Sequence, residues 1–358
     1  MASQLLTRQL GKDGPKVPAL GFGLMGLSAF YGKADTDEER FKVLDRAVEL
    51  GETFWDSADA YGDSEELVGK WFTATGKRDQ IFIATKFGAR PVVDGGFRID
   101  SSPEYVKEAC ENSLKRLGVE CIDLYYCHRV GDTPIEQTVE AMAELKKYKL
   151  ANSLIELALT CRSRDGKIKY LGLSEVSSET LRRACKVHHI SAVQVEYSPF
   201  ALDIEHPDIY LLKTCRELGV AVVAYSPLGR GMLTGAYKSA NDFEEGDFRT
   251  FAPRFSAENF PKNLKLTEDL SKIASKKRCT AGQLTLAWLL AQGNDIFPIP
   301  GTKKIKYLEE NLGALDVKLS EEDVQEIREL VEAVEVHGHR YPEVMRGSLF
   351  ADTPVLKV

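Results

Sequence analysis

Eight short apolar runs of strand type, each followed by a segment of helical period, predict a (β/α)8 barrel of the TIM type. The runs are 19–23, 53–56, 81–86, 122–127, 168–173, 192–196, 221–225 and 296–299. Helical periodicity covers 37–50, 64–75, 103–117, 134–147, 178–187, 208–218, 265–291 in two pieces, and 303–312. Strand then helix, repeated with right-handed crossovers, closes most simply into a barrel. A doubly wound open sheet is the alternative, because Gly21-Phe22-Gly23-Leu24-Met25-Gly26 matches a G-x-G-x-x-G string. A non-helical loop, Leu27 to Lys33, follows it, and a lone fingerprint in that context carries little.

Residues 6–20 open the chain as a hairpin, turning at Gly11-Lys12-Asp13-Gly14. Helix starts are marked by Thr36 before Asp37-Glu38-Glu39 and by Ser102 before Pro103-Glu104. Gly51, Gly118 and Gly219 each follow an apolar helical residue, where a left-handed cap is wanted. A further helix is expected at 321–334, and the tail from His337 to Val358 is expected to cover one end of the barrel. The whole chain, 1–358, is expected to form a single domain.

One segment departs from this rhythm. After the helix at 134–147 the chain runs on through 148–162 before the strand at 168, where a short turn is usual. Leu150, Leu154, Leu157 and Ala158 have helical spacing, so an added surface helix is one reading. Translation of a retained intron is the other. Lys147-Tyr148 can be coded AAG-TAY with a GT donor, Cys161-Arg162 can be coded TGY-AGR with an AG acceptor, and Leu150-Ala151-Asn152 can contain CTAAC. Excision keeps the frame and leaves an ordinary short loop.

Composition is globular, with 43% hydrophobic and 28% charged residues among 358. A net charge of −7 argues against a nucleic-acid surface. Seven cysteines without C-x-x-C or metal-ligand spacing fit reduced thiols and no metal site. With no apolar leader and no run able to cross a bilayer, a cytoplasmic protein with no membrane partner is expected.

Three successive strand-like runs end on functional groups. Asp56 closes the second and Tyr61 follows five residues later, Lys86 closes the third, and His128 closes the fourth. In parallel α/β folds that edge carries the chemistry. Tyrosine is a weak acid, with a pKa near 10. A neighbouring ammonium favours the phenolate, a carboxylate keeps the ammonium charged, and an imidazole can hold a carbonyl oxygen. Together they suit protonation of an alkoxide as hydride arrives. Phe30, Tyr31, Trp55 and Phe87 are expected to make the mouth aromatic.

Asp56-x4-Tyr61-Gly62, Thr85-Lys86-Phe87-Gly88 and Asp123-Leu124-Tyr125-Tyr126-Cys127-His128-Arg129 resemble the aldo-keto reductase superfamily from about residue 6 to about 335, leaving out 148–162. The resemblance implies a barrel that reduces aldehydes or ketones, small-molecule carbonyl substrates, with NADPH, using Asp56, Tyr61, Lys86 and His128 as catalytic tetrad. It also implies that Ser174 and Gln194 hold the nicotinamide carboxamide, although Glu175 stands where the family usually has Asn. Tyr225, Ser226, Leu228, Gly229 and Gly231 match the segment that stacks on nicotinamide and covers the pyrophosphate. Glycines there allow close backbone approach and anion-binding amides. Thr302, Lys303 and Lys304 open a helix, where dipole, amides and cations favour a 2′-phosphate. The resemblance sets Glu310 and Asn311 against adenine. Two other classes stay open: a Schiff-base lyase with Lys86 as nucleophile, and an NADPH-sensing accessory subunit with little turnover.

Overall fold

A computed structural model describes residues 5–92, 97–147 and 166–357. The hairpin comes first, β1 (Thr7–Gln9) against β2 (Lys16–Pro18). Eight parallel strands follow: β3 (Phe22–Gly23), β4 (Phe54–Asp56), β5 (Phe82–Phe87), β8 (Ile122–Cys127), β9 (Ile168–Ser174), β10 (Ala192–Glu196), β11 (Ala221–Tyr225) and β12 (Ile296–Pro298). Each pairs with its predecessor in chain order. The cylinder closes where Gly21 N donates to Pro298 O (2.9 Å) and Gly23 N to Pro300 O (3.2 Å). This is the (β/α)8 barrel that the alternation implied, and it excludes the open sheet.

A small hairpin, β6 (Ala89–Pro91) with β7 (Phe97–Ile99), lies outside the barrel order and was not foreseen. Its strands are three residues each, below the length at which alternation can be read.

The expected helix signals act where they were placed. The Thr36 and Ser102 side chains accept from Glu39 N and Tyr105 N at the starts of Asp37–Glu49 and Pro103–Leu117. Gly118 and Gly219 end their helices at φ 63° and 68°. Two helix starts differ by three residues or more. The helix expected from 208 begins at Leu211, because Tyr210 takes a left-handed φ of 55° and the His206 carbonyl gathers the Ile209 and Tyr210 amides. The helix expected from 265 begins at Phe260, with Pro261 in its first turn, where proline loses no bond.

Strand alternation sorts the core into two layers. Phe54, Ala84, Leu124, Tyr126, Ala192, Val223 and Phe297 fill the barrel, with Leu10 and Val17 of the first hairpin as its floor. Arg8 fixes that floor by donating to the carbonyls of Gly293, Leu290 and Ile296. The intervening residues face the helices. Trp55 lies 4.9 Å from Trp71 by ring centroids, and Phe87 stacks on Tyr125 at 5.0 Å. Trp55 and Phe87 are thus core residues between sheet and helices, not parts of the mouth. They sit one residue out of phase with Phe54 and Lys86, and strand pleat sends them outward. Gly172 is required inside: a Cβ there would lie 2.3 Å from the Tyr126 ring.

The tail joins the opposite end. Ala351 pairs with Val176, accepts from Ser177 N (3.0 Å) and donates to Glu175 O (2.8 Å). Segment 148–162 lies outside the described residues. On either side of it the chain is closed, since Lys167 N donates to Leu145 O at 2.8 Å. Deleting 148–162 is therefore expected to keep the parent's melting temperature within a few degrees and to raise soluble yield. Loss of cooperative melting would make the segment part of the barrel, and an unchanged yield would count against the intron reading.

Candidate functional site

The inward phase of each strand climbs from apolar floor to polar rim. Phe54 leads to Asp56, Ala84 to Lys86, Tyr126 towards His128, Ala192 to Gln194 and Val223 to Tyr225. Register sets Asp56 beside Ala84 and Lys86 beside Tyr126. These side chains therefore meet at the carboxyl end of the barrel.

At the centre Lys86 Nζ lies 2.5 Å from Asp56 Oδ1 and donates to Ser57 O at 2.7 Å, with no exposed surface on the lysine. Gln194 Nε2 donates to the other carboxylate oxygen at 2.8 Å. Burial pushes the Asp56 carboxyl up and the Lys86 amine down, and each partner opposes the other's shift. Two ion-stabilising hydrogen bonds on the carboxylate and two acceptors on the ammonium favour the charged pair.

Tyr61 arrives on a loop that extends the ladder past β4. Ser57 N donates to Ala84 O and Asp59 N to Lys86 O, at 2.8 and 3.1 Å. Arg40 braces the far side through Asp63 (2.7 and 2.8 Å) and Ser28 (3.0 Å). The Tyr61 ring then lies with its centroid 4.8 Å from Lys86 Nζ and 5.7 Å from the His128 ring, edge to face. Its hydroxyl makes no hydrogen bond among the described residues. Burial, reinforced by Asp56, pushes the phenol well above its ordinary value. The phenol therefore holds its proton. His128 is pushed well below its ordinary value, first by burial and then by the Arg129 and Lys86 charges. The assembled groups are a protonated phenol, a neutral imidazole and a buried cation, a set able to hold an oxygen and supply it with a proton.

Phe30 stands at the rim, edge-on to Tyr61 (6.3 Å) and Phe248 (6.5 Å), and Tyr31 lies under the Arg249 guanidinium at 5.1 Å. Phe30 thus stands beside Tyr61, where an aromatic mouth was expected.

Glu175 does what an asparagine could not. It is fully buried, left-handed at φ 51°, and takes a two-pronged bond from Arg340 of the tail, both distances 3.0 Å. The Tyr225 hydroxyl donates to the same carboxylate at 2.8 Å and meets the Tyr341 hydroxyl at 3.3 Å. Burial works against the carboxylate, but Arg340 and Arg129 hold its pKa below the ordinary value. Arg340 was not singled out in the sequence. Glu175 was, as an oddity, and its need of a buried cation was the available signal.

Ser174 ends β9 in the inward phase, its hydroxyl accepting from Arg129 Nη1 at 3.2 Å. Ser226, Gly229 and Gly231 all have positive φ (49°, 56° and 91°), so the chain beyond β11 turns tightly, with Leu228 half-buried between them. Thr302, Lys303 and Lys304 precede the helix Ile305–Leu312, apart from the cluster around Lys86. Lys303 Nζ donates to Tyr31 O (2.5 Å) and Lys33 O (2.9 Å), clasping the loop that carries Phe30. Lys304 is exposed, Glu310 half-buried and Asn311 buried.

Removing the tail's cation should be costly. Arg340→Met leaves Glu175 buried without its partner and is expected to destabilise the fold by about 3–5 kcal/mol. Adding Glu175→Gln should restore part of the loss, and denaturant unfolding of the two variants checks this.

The aldo/keto reductase family profile matches residues 19–332. "Aldo-keto reductase str7" of Strobilurus tenacellus is 56% identical, over 98% of this chain and 99% of that one. "Aldo-keto reductase yakc [NADP(+)]" of Schizosaccharomyces pombe is 53% identical over 97% and 98%. Among solved structures, the thermostable aldo-keto reductase Tm1743, in complex with the inhibitor epalrestat, superposes with a TM-score of 0.69 at 29% identity, over 91% of this chain and all of that one. With the barrel, its polar rim and relatives alike from end to end, the chain belongs to the aldo/keto reductase family.

Proposed function

We propose that the protein reduces aldehydes or ketones to alcohols with NADPH, with Tyr61 as the proton donor. The observation that carries this reading is the buried Lys86–Asp56 pair, 2.5 Å apart beneath the Tyr61 ring with His128 facing it.

The residues present fit the cofactor. Gln194 spends its amide N–H on Asp56, which leaves its carbonyl oxygen to accept from a carboxamide beside the Ser174 hydroxyl. Tyr225 is fixed by its hydroxyl, so its ring offers a set face for stacking. The tight turn through Ser226, Leu228, Gly229 and Gly231, left-handed at all but Leu228, suits a pyrophosphate, while Thr302 and Lys304, with Lys303, suit the 2′-phosphate at a helix start. Glu310 and Asn311 lie on that helix for adenine. The relative from Schizosaccharomyces pombe bears NADP(+) in its name.

When bound, the dihydronicotinamide supplies the hydride. His128, kept neutral, holds the substrate oxygen by one ring nitrogen. Tyr61 gives its proton to that oxygen as negative charge develops there. Lys86 then faces a phenolate and stabilises it, while Asp56 and Ser57 O keep the ammonium in place. The same contacts disfavour a Schiff-base lyase, whose lysine must be neutral and free to attack.

Tyr61→Phe should lower kcat by a factor of a thousand or more while NADPH binding, followed by fluorescence, stays within about threefold. Retained turnover would remove Tyr61 from the acid role. Replacing Lys303 and Lys304 together by Ala should weaken NADPH at least tenfold more than NADH, since only NADPH carries the extra phosphate. Equal losses in a paired titration would place that phosphate elsewhere.

A further inference from the structure

Arg129, the residue after His128, has no part in the reading above. Its backbone is fixed, because Cys127 Sγ donates to Arg129 O at 3.3 Å and a Cβ on Gly88 would sit 3.1 Å from the same oxygen. Its Nη1 donates to His128 O (2.8 Å) and to Ser174 Oγ (3.2 Å). Nε and Nη2 make no hydrogen bond among the described residues, and Arg129 forms no ion pair there. Its neighbours differ in this respect. Arg340 pairs with Glu175, Arg230 and Arg254 with Glu196, and Arg249 with Asp247.

A half-buried guanidinium with three N–H donors that no described residue engages is free to bind an oxygen ligand. Burial works against its charge, which Tyr225, Tyr341, Glu175 and Tyr61 sustain. The guanidinium in turn acts on both Tyr61 and His128, the two groups that must meet the carbonyl oxygen. The planar fork of a guanidinium matches an oxygen pair or a carboxylate.

We propose that Arg129 grips a second oxygen, on the carbon next to the reacting carbonyl, so that 2-oxo esters and 2-oxo acids are the favoured substrate class. This rests on the reductase reading. Hydride from NADPH adds to the ketone carbon, Tyr61 protonates the ketone oxygen, and the product is a 2-hydroxy ester or acid with NADP+. The carboxyl oxygens keep their bonds throughout, held by the Nε and Nη2 donors.

The test compares kcat/KM for ethyl benzoylformate, benzoylformate and benzaldehyde, with NADPH affinity measured alongside by fluorescence. Arg129→Met should lower the ratio of either 2-oxo compound to benzaldehyde at least tenfold. Arg129→Lys, which keeps the charge and guards against a folding failure in the first variant, should retain more of the acid's advantage than of the ester's. An equal loss on all three substrates would overturn the proposal in favour of a role in positioning His128. An unchanged ratio with weakened NADPH would overturn it by assigning Arg129 to the cofactor. If the parent enzyme reduces benzaldehyde but shows no ratio change in either variant, the substrate class alone is wrong. If the parent oxidises NADPH with none of the three, the reductase reading itself has failed.

Discussion

A lysine with no exposed surface, its ammonium 2.5 Å from an aspartate at the top of the neighbouring strand, is the interaction on which the rim depends. An isolated charge could not stay at that depth, and neither could its partner alone. The pair therefore demands more than proximity. Ser57 O and the Gln194 amide complete its coordination, and that requirement fixes the loop leaving β4 and the end of β10. Tyr61 follows four residues after Ser57, so the geometry that satisfies the lysine also sets the phenol above it. His128 enters from the next strand but one, on the same inward phase.

Strand pleat explains why so much of this was visible without coordinates. Asp56, Lys86 and His128 end apolar runs, and the period of two that puts Phe54 and Ala84 inside the barrel puts Asp56 and Lys86 at its mouth. The same period accounts for the misplacement of Trp55 and Phe87. Aromatic character alone does not say which face a residue takes, and one position along a strand moves it from mouth to helix layer. Burial, by contrast, is not a property of spacing: the phenol is nine-tenths enclosed, and desolvation dominates its acidity.

What stayed hidden was long-range. Arg340 and Tyr341 reach the rim across more than a hundred residues of chain, and nothing local marks a tail arginine as the partner of a residue at the end of β9. The clasp of Lys303 on the Tyr31 and Lys33 carbonyls is of the same kind. A lysine at a helix start reads as an anion site from sequence, yet here it also ties the first loop of the barrel to the last, where the cylinder closes through Gly21 and Gly23. The seam between β3 and β12 is thus held by side chain as well as by backbone.

The carboxylate at Glu175 carries a consequence for descent. With asparagine at that position the tail guanidinium would keep only the longer approach of Glu196 at 3.8 Å, and with glutamate but no Arg340 the carboxylate would keep only the Tyr225 hydroxyl and the Arg129 charge. Positions 175 and 340 are thus tied, since each loses its two-pronged partner when the other changes. A lineage that changed one first would pass through a weakened intermediate, so relatives are expected to divide into two camps, each with its own way of fastening the tail.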